Sequence, residues 1–302
     1  MHPLFVIFFG FLATSHGYLL DPSCTRDRSI ETLVVDGLRH AFDTASAAED
    51  ALRTRPWTRN DNGPIMDLAD WILKEDGSAQ QNEMHAWPPT SPTAPLRPND
   101  PRNRLDKARD VFNLMLMNRV RTDREHSTQF KVFCDLDRFK TSTRQVGKVW
   151  DSVLNVFSKD AYITLCQNPF VQAWTLVEQE TWKDLSRLPQ ESSEIKIPIF
   201  SPAGRFADDE SRCYPASNPT VMDIYGGLMD TVLIHEMTHT SFAGNLDDVK
   251  ANGGPYRWKN ILTKTPEDSI KNADSVAYFA LGARMIRTQG YKPNRDGSLT
   301  RM

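Results

Sequence analysis

Along residues 29 to 53, SIETLVVDGLRHAFDTASAAEDALR, apolar side chains recur three or four positions apart: Ile30, Leu33, Val34, Leu38, Ala41, Phe42, Ala45, Ala48 and Leu52. That spacing predicts one long amphipathic helix. A second helix is predicted over 104–120, RLDKARDVFNLMLMNRV. Between the two, AWPPTSPTAPLRPNDP at 86–101 carries six prolines, which exclude regular structure and read as a surface insertion within one domain. Three short β-type runs follow, QFKVFCDL, AYITLC and IKIPIF, then a Gly-Gly pair and the apolar helical run TVLIHEMTHT at 231–240. Helices first, a small sheet next and a helix crossing it predict an α+β order rather than an alternating parallel one. No internal repeat is visible.

The N-terminal stretch changes the picture. Ten apolar residues from Leu4 to Ala13, followed by small Ser15 and Gly17, read as a secretory signal over 1–17, too short to span a bilayer. The expected mature protein, 18–302, is secreted and extracellular, with no membrane partner. Four cysteines, Cys24, Cys134, Cys166 and Cys213, lie beyond that signal. An even count in an oxidising compartment predicts two disulfides, and the absence of close Cys-x-x-Cys pairs argues against a thiolate zinc site. A formal net charge of −3 gives no basic surface for nucleic acid. The expected protein is a monomer.

The chemistry sits in HEMTH at 235–239. Four residues along a helix amount to about 6 Å of rise and about 400° of rotation, so His235 and His239 project from one face. That suits two nitrogens on one tetrahedral zinc ion. Glu236 lies about 100° round the helix, placed to touch a zinc-bound water without ligating the metal. A carboxylate there takes the proton of the water and passes it to the leaving amine. The competing reading is a core stripe of Leu228, Val232, His235, His239 and Phe242.

A zinc of this kind needs a third protein ligand. The other histidines, His2, His16, His40, His85 and His126, all lie upstream of the motif. The metzincin pattern fails at Phe242 and Asn245. Glu267, the sole downstream glutamate, falls in TKTPEDS, a loop running into a helix N-cap. What remains is AGNLDDVKANGGPYRW at 243–258, in which Gly244 can end the helix and the chain can fold back to bring Asp247 or Asp248 beside the metal.

Here the sequence resembles the aspzincins, the deuterolysin and peptidyl-Lys metalloendopeptidase group of mostly fungal secreted zinc proteases. In that family His-Glu-x-x-His is followed by Gly-Thr and an aspartate ligand. Asp248 lies nine residues after His239, the spacing of the peptidyl-Lys members, whereas Asp247 keeps the family's spacing from Gly244. Asp248 is preferred. NADSVAYFA at 272–280 resembles the family's Asn-Ala-Asp segment, and the first helix resembles its cysteine-led, alanine-rich helix. FCDLD and ITLCQNPF resemble its disulfide-bearing strands, which implies Cys134 with Cys166 and Cys24 with Cys213. The resemblance implies a zincin-like α+β domain, mainly helical, with its sheet above the motif helix and one Zn²⁺ per chain.

Departures accompany the resemblance. Asn245 replaces the threonine, and Ala251 stands where a tyrosine is expected three residues after Asp248. Tyr256 in PYRW is the substitute phenol, expected to donate to the developing oxyanion. Asp274 matches one acidic position that reads lysine at P1′, while Ala277 occupies the other, which implies a weaker acidic pocket and broader specificity; the alternative for Asp274 is a structural hydrogen bond or helix cap. No room remains for a long propeptide. The implied function is a secreted zinc endopeptidase acting on protein or peptide substrates; the alternative is a secreted zinc-binding protein with little or no protease activity on the same fold.

Overall fold

A computed structural model describes residues 17–26, 28–78, 103–122, 130–133, 161–164, 220–226, 228–240, 243–250 and 257–302. The proline-rich run at 86–101, the IKIPIF run, the signal residues 1–16, Phe242, Tyr256, Cys134, Cys166 and Cys213 lie outside them. Among the described residues the chain is mainly helical with two small sheets, compatible with the α+β class. None of these helices is long and apolar enough to cross a membrane.

The long amphipathic helix is present as α2, Arg28–Arg53, after strand β1, Tyr18–Leu20, and the short α1, Pro22–Thr25. Of its expected apolar face, Val34, Leu38, Ala41, Phe42, Ala45, Ala48 and Leu52 are all buried. The second predicted helix is α4, Arg104–Met117, started by Asn103, whose side chain accepts from the Asp106 N–H. Between them stands α3, Arg59–Leu73, for which the sequence shows no clear start signal. Its NDNGP stretch signals a turn, and the backbone does break there: Asn62 is non-helical at φ −134°. Beyond Pro64 the helix is regular and buries Ile65, Met66, Leu68, Ala69, Ile72 and Leu73. Proline fits there because the first turn of a helix has no use for its missing N–H.

The sheet differs from the expected order. β1 precedes every helix and pairs in parallel with β2, Phe130–Phe133, which pairs in parallel with β3, Ala161–Thr164. A parallel pair needs a long crossover, and α1 to α4 lie between β1 and β2. Three residues beside an apolar leader are too few for a period-2 signal, so the first strand was not legible. β3 contacts the motif helix.

That helix is α6, Met229–His239, preceded by α5, Val221–Gly226. Then come α7, Trp258–Ile261, α8, Pro266–Ser269, and α9, Ala273–Arg284, which continues through a π-helical turn, Met285–Gln289. A hairpin of β4, Tyr291–Pro293, and β5, Leu299–Arg301, closes the chain. Every residue of α9 is buried, as expected of a helix surrounded by α2, α3 and α6. Small residues let the neighbours approach: a Cβ on Gly282 would meet Leu68 at 2.7 Å. Phe112 of α4 and Phe279 of α9 stack with centroids 6.4 Å apart. Between α2, α6 and α9 a buried ion pair joins Arg284 to Asp230 at 3.2 Å, and Thr44 donates to the same carboxylate at 2.9 Å.

Candidate metal centre

Helix α6 ends at His239, because Thr240 turns to an extended ψ of 150°. This is five residues before Gly244, the residue expected to end it. Gly244 instead reverses the chain, with φ +118°, a region that L side chains rarely adopt. Asn245 follows at φ 51°. Asparagine is among the few residues that enter this left-handed region readily, and a β-branched threonine would be strained there. Asparagine is thus suited to this turn. The reversal is sealed by Asn245 N–H donating to Thr240 O at 3.0 Å and Leu246 N–H donating to Thr238 O at 2.9 Å.

Folded back in this way, the chain brings Asp248 beside the two histidines. His235 Nε2 and His239 Nε2 lie 3.0 Å apart, and Asp248 Oδ1 lies 3.3 Å from the first and 3.6 Å from the second. A tetrahedral zinc with bonds of about 2.0–2.1 Å needs donor–donor edges of about 3.3–3.4 Å. The triangle has that size.

The second nitrogen of each ring shows why the first points inward. His235 Nδ1 lies 2.7 Å from Asp274 Oδ1, and His239 Nδ1 lies 2.7 Å from the Leu246 carbonyl oxygen. Carboxylate and carbonyl oxygens only accept, so each Nδ1 carries the hydrogen and donates it. In the neutral ring each Nε2 then presents a lone pair to the other and to a carboxylate oxygen. Three converging lone pairs repel unless a metal ion or a proton lies between them, and Nδ1–H anchoring of this kind is the arrangement that fixes metal-binding imidazoles.

Charge favours a cation as well. Burial works against a charge on His235, but the carboxylates of Asp248, Asp274 and Glu236 outweigh it and hold its pKa well above the ordinary imidazole value. The side chains of His235, His239 and Asp248 are 10%, 18% and 29% exposed, so the cluster is largely shielded from solvent.

The remaining candidates are placed as follows. Asp247 is exposed, and its backbone pairs with Asn272, so only Asp248 joins the two histidines. Glu267 is exposed on α8, whose N-cap is Thr265, and it is not part of the cluster. Glu236 is half-buried on α6, one residue beyond His235. Asp274, expected on the substrate side, lies instead behind His235: Oδ1 holds the ring, and Oδ2 accepts from the Arg257 N–H at 3.1 Å. Both of its oxygens thus already accept from the protein. Its signal in the sequence was an aspartate heading an otherwise apolar helix. Cys24 is fully buried, with its sulfur 3.4 Å from the Val132 carbonyl oxygen, and its three possible partners lie outside the described residues. No known protein family, characterised protein or solved structure gives a significant match to this chain.

Proposed function

We propose that the protein is a secreted zinc-dependent metalloendopeptidase with a zincin-like fold. The observation that carries the reading is the triangle of His235 Nε2, His239 Nε2 and Asp248 Oδ1, with edges of 3.0 to 3.6 Å and both Nδ1 atoms anchored behind it. These three residues would hold the ion. Bound there, zinc supplies Lewis acidity to a water molecule and to a peptide carbonyl.

Glu236 is the general base in this reading. It takes the proton of the attacking water and delivers it to the departing amine, and metal binding alone has no use for it. Tyr256 remains the candidate donor to the developing oxyanion. It directly precedes Arg257, whose N–H is tied to the Asp274 carboxylate behind His235. Because both Asp274 oxygens are occupied, lysine selection at P1′ is not part of the proposal.

The test is zinc content of the exported protein together with digestion of an unfolded protein substrate, for wild type and Glu236→Gln. The proposal expects about one zinc per chain in both and cleavage by wild type only. One zinc with no cleavage by either would favour the alternative, a secreted zinc-binding protein. No zinc would remove both readings and return the histidines to the core.

A further inference from the structure

Asp248 is the one member of the triangle that no helix carries. A ligand on a loop must be held by whatever its neighbours bind, and a shift of a few tenths of an ångström degrades a metal site. Both flanking residues are held. Asp247 N–H donates to Lys271 O at 2.9 Å, and Asp247 O accepts from Ala273 N–H at 3.0 Å. These are backbone contacts, which almost any sequence could make. On the other side, Val249 is gripped by side chains. Its N–H donates to Asn272 Oδ1 at 3.0 Å, and its carbonyl accepts from Lys264 Nζ at 2.7 Å.

The two side chains are unusual for such a task. Asn272 is fully buried and Lys264 is 3% exposed. Asn272 is itself oriented, because its Nδ2 donates to Ser275 Oγ at 3.1 Å, which leaves Oδ1 to face Val249. Burying an ammonium group is costly, so a hydrophobic residue would be expected there if packing were all that mattered. The Lys264 amine gives a charge-assisted hydrogen bond instead, stronger than a neutral one. Burial lowers its pKa below the ordinary lysine value, and the carboxylates of Asp268 and Asp274 oppose that shift.

We infer that Lys264 and Asn272 are positioning residues for the metal centre: they clamp the Val249 peptide from both sides and so set Asp248 against His235 and His239. This rests on the metal reading above. It adds a role for two residues that neither touch the ion nor belong to the motif. It also gives the Asn of NADSVAYFA a task separate from that of its aspartate: Asn272 fixes the loop ligand, and Asp274 fixes a helix ligand.

The test uses the full-length exported protein and reads metal binding rather than activity. Zinc affinity is measured by chelator competition for wild type, Lys264→Met, Asn272→Leu and Asn272→Asp, and again with each change in an Asp248→Ala background. Cobalt-loaded absorption spectra are recorded alongside. Loss of an outer partner of a metal ligand costs about 10–100-fold in affinity. Lys264→Met and Asn272→Leu should each weaken zinc by that amount and shift the cobalt spectrum towards that of Asp248→Ala. Asn272→Asp keeps the accepting oxygen and should restore most of the affinity. In the Asp248→Ala background the same changes should have almost no further effect.

Equal losses with and without Asp248 would show a general structural role and overturn the inference. So would wild-type affinity in both variants. Tighter zinc binding by Lys264→Met would mean that repulsion from the ammonium outweighs any positioning. Absence of zinc from wild type itself would overturn the metal reading, a result distinct from all of these. If one variant does not fold, the other decides, since each removes one side of the same grip.

Discussion

The Nδ1 of His235 lies 2.7 Å from Oδ1 of Asp274, a residue 39 positions further along the chain. The pair joins the motif helix to the first turn of the fully buried α9. It fixes the ring of His235 and puts negative charge behind it. Asp274→Ala should therefore lower zinc affinity by about 10–100-fold without touching the ion. Chelator competition on wild type and variant checks this, and unchanged affinity would remove Asp274 from the site.

Asp247 and Asp248 are neighbours in sequence but not in role. Asp248→Ala removes one donor of three and should weaken zinc strongly, to the still measurable affinity of the two remaining histidines, whereas Asp247→Ala should leave it within about threefold, since the Asp247 side chain is exposed and its contacts are made by backbone. Metal analysis after dialysis distinguishes them. The reverse pattern would move the ligand by one residue.

Arg284 and Asp230 form an ion pair with side chains 9% and 0% exposed. Breaking a buried pair from one side strands the other charge. Arg284→Met should cost about 3–5 kcal/mol in denaturant unfolding, and adding Asp230→Asn should recover part of it. A loss below about 1 kcal/mol would mean that the pair is better solvated than its burial indicates.

His40 gives a pH dependence. Burial, then Arg39 and Arg284, lower its pKa below the ordinary imidazole value. A lowered histidine pKa means that the unfolded chain takes up the proton first. The stability it contributes is present above about pH 6.5 and is lost as pH falls through the folded-state value. His40→Gln should flatten that loss, read as thermal midpoint against pH; an unchanged slope would assign the effect to other groups.

What the sequence made legible was whatever is local and periodic. The apolar face of α2 repeats at helical spacing for seven turns, and His235, Glu236 and His239 sit within five residues. Asp248 was within reach because few acidic residues follow the motif. Three things were not legible, each for its own reason. Helix α3 hides behind a turn signal at NDNGP, and its kink at Asn62 shows that the signal was real but did not stop the helix. The parallel partner of β2 is only three residues long, and nothing local says which strands will meet across four helices. The partner of Asp274 depends on how α9 crosses α6, a tertiary fact, so its segment alone leaves a substrate role and a structural hydrogen bond equally open.

The reversal at Gly244 and Asn245 has one more consequence. Because the chain turns back at once, the three proposed ligand positions fall between residues 235 and 248, and hydrogen bonds from Asn245 and Leu246 to Thr240 and Thr238 already hold the turn between them. An ion there closes no long loop, so it has little chain entropy to remove from the unfolded state. In small zinc modules the ion supplies the folding energy; here α2, α3, α4 and α9 bury a large apolar core, so the proposed ion is expected to add little to it. The centre is in that sense a replaceable part: chelation should strip it and added zinc refill it, with the helices intact throughout.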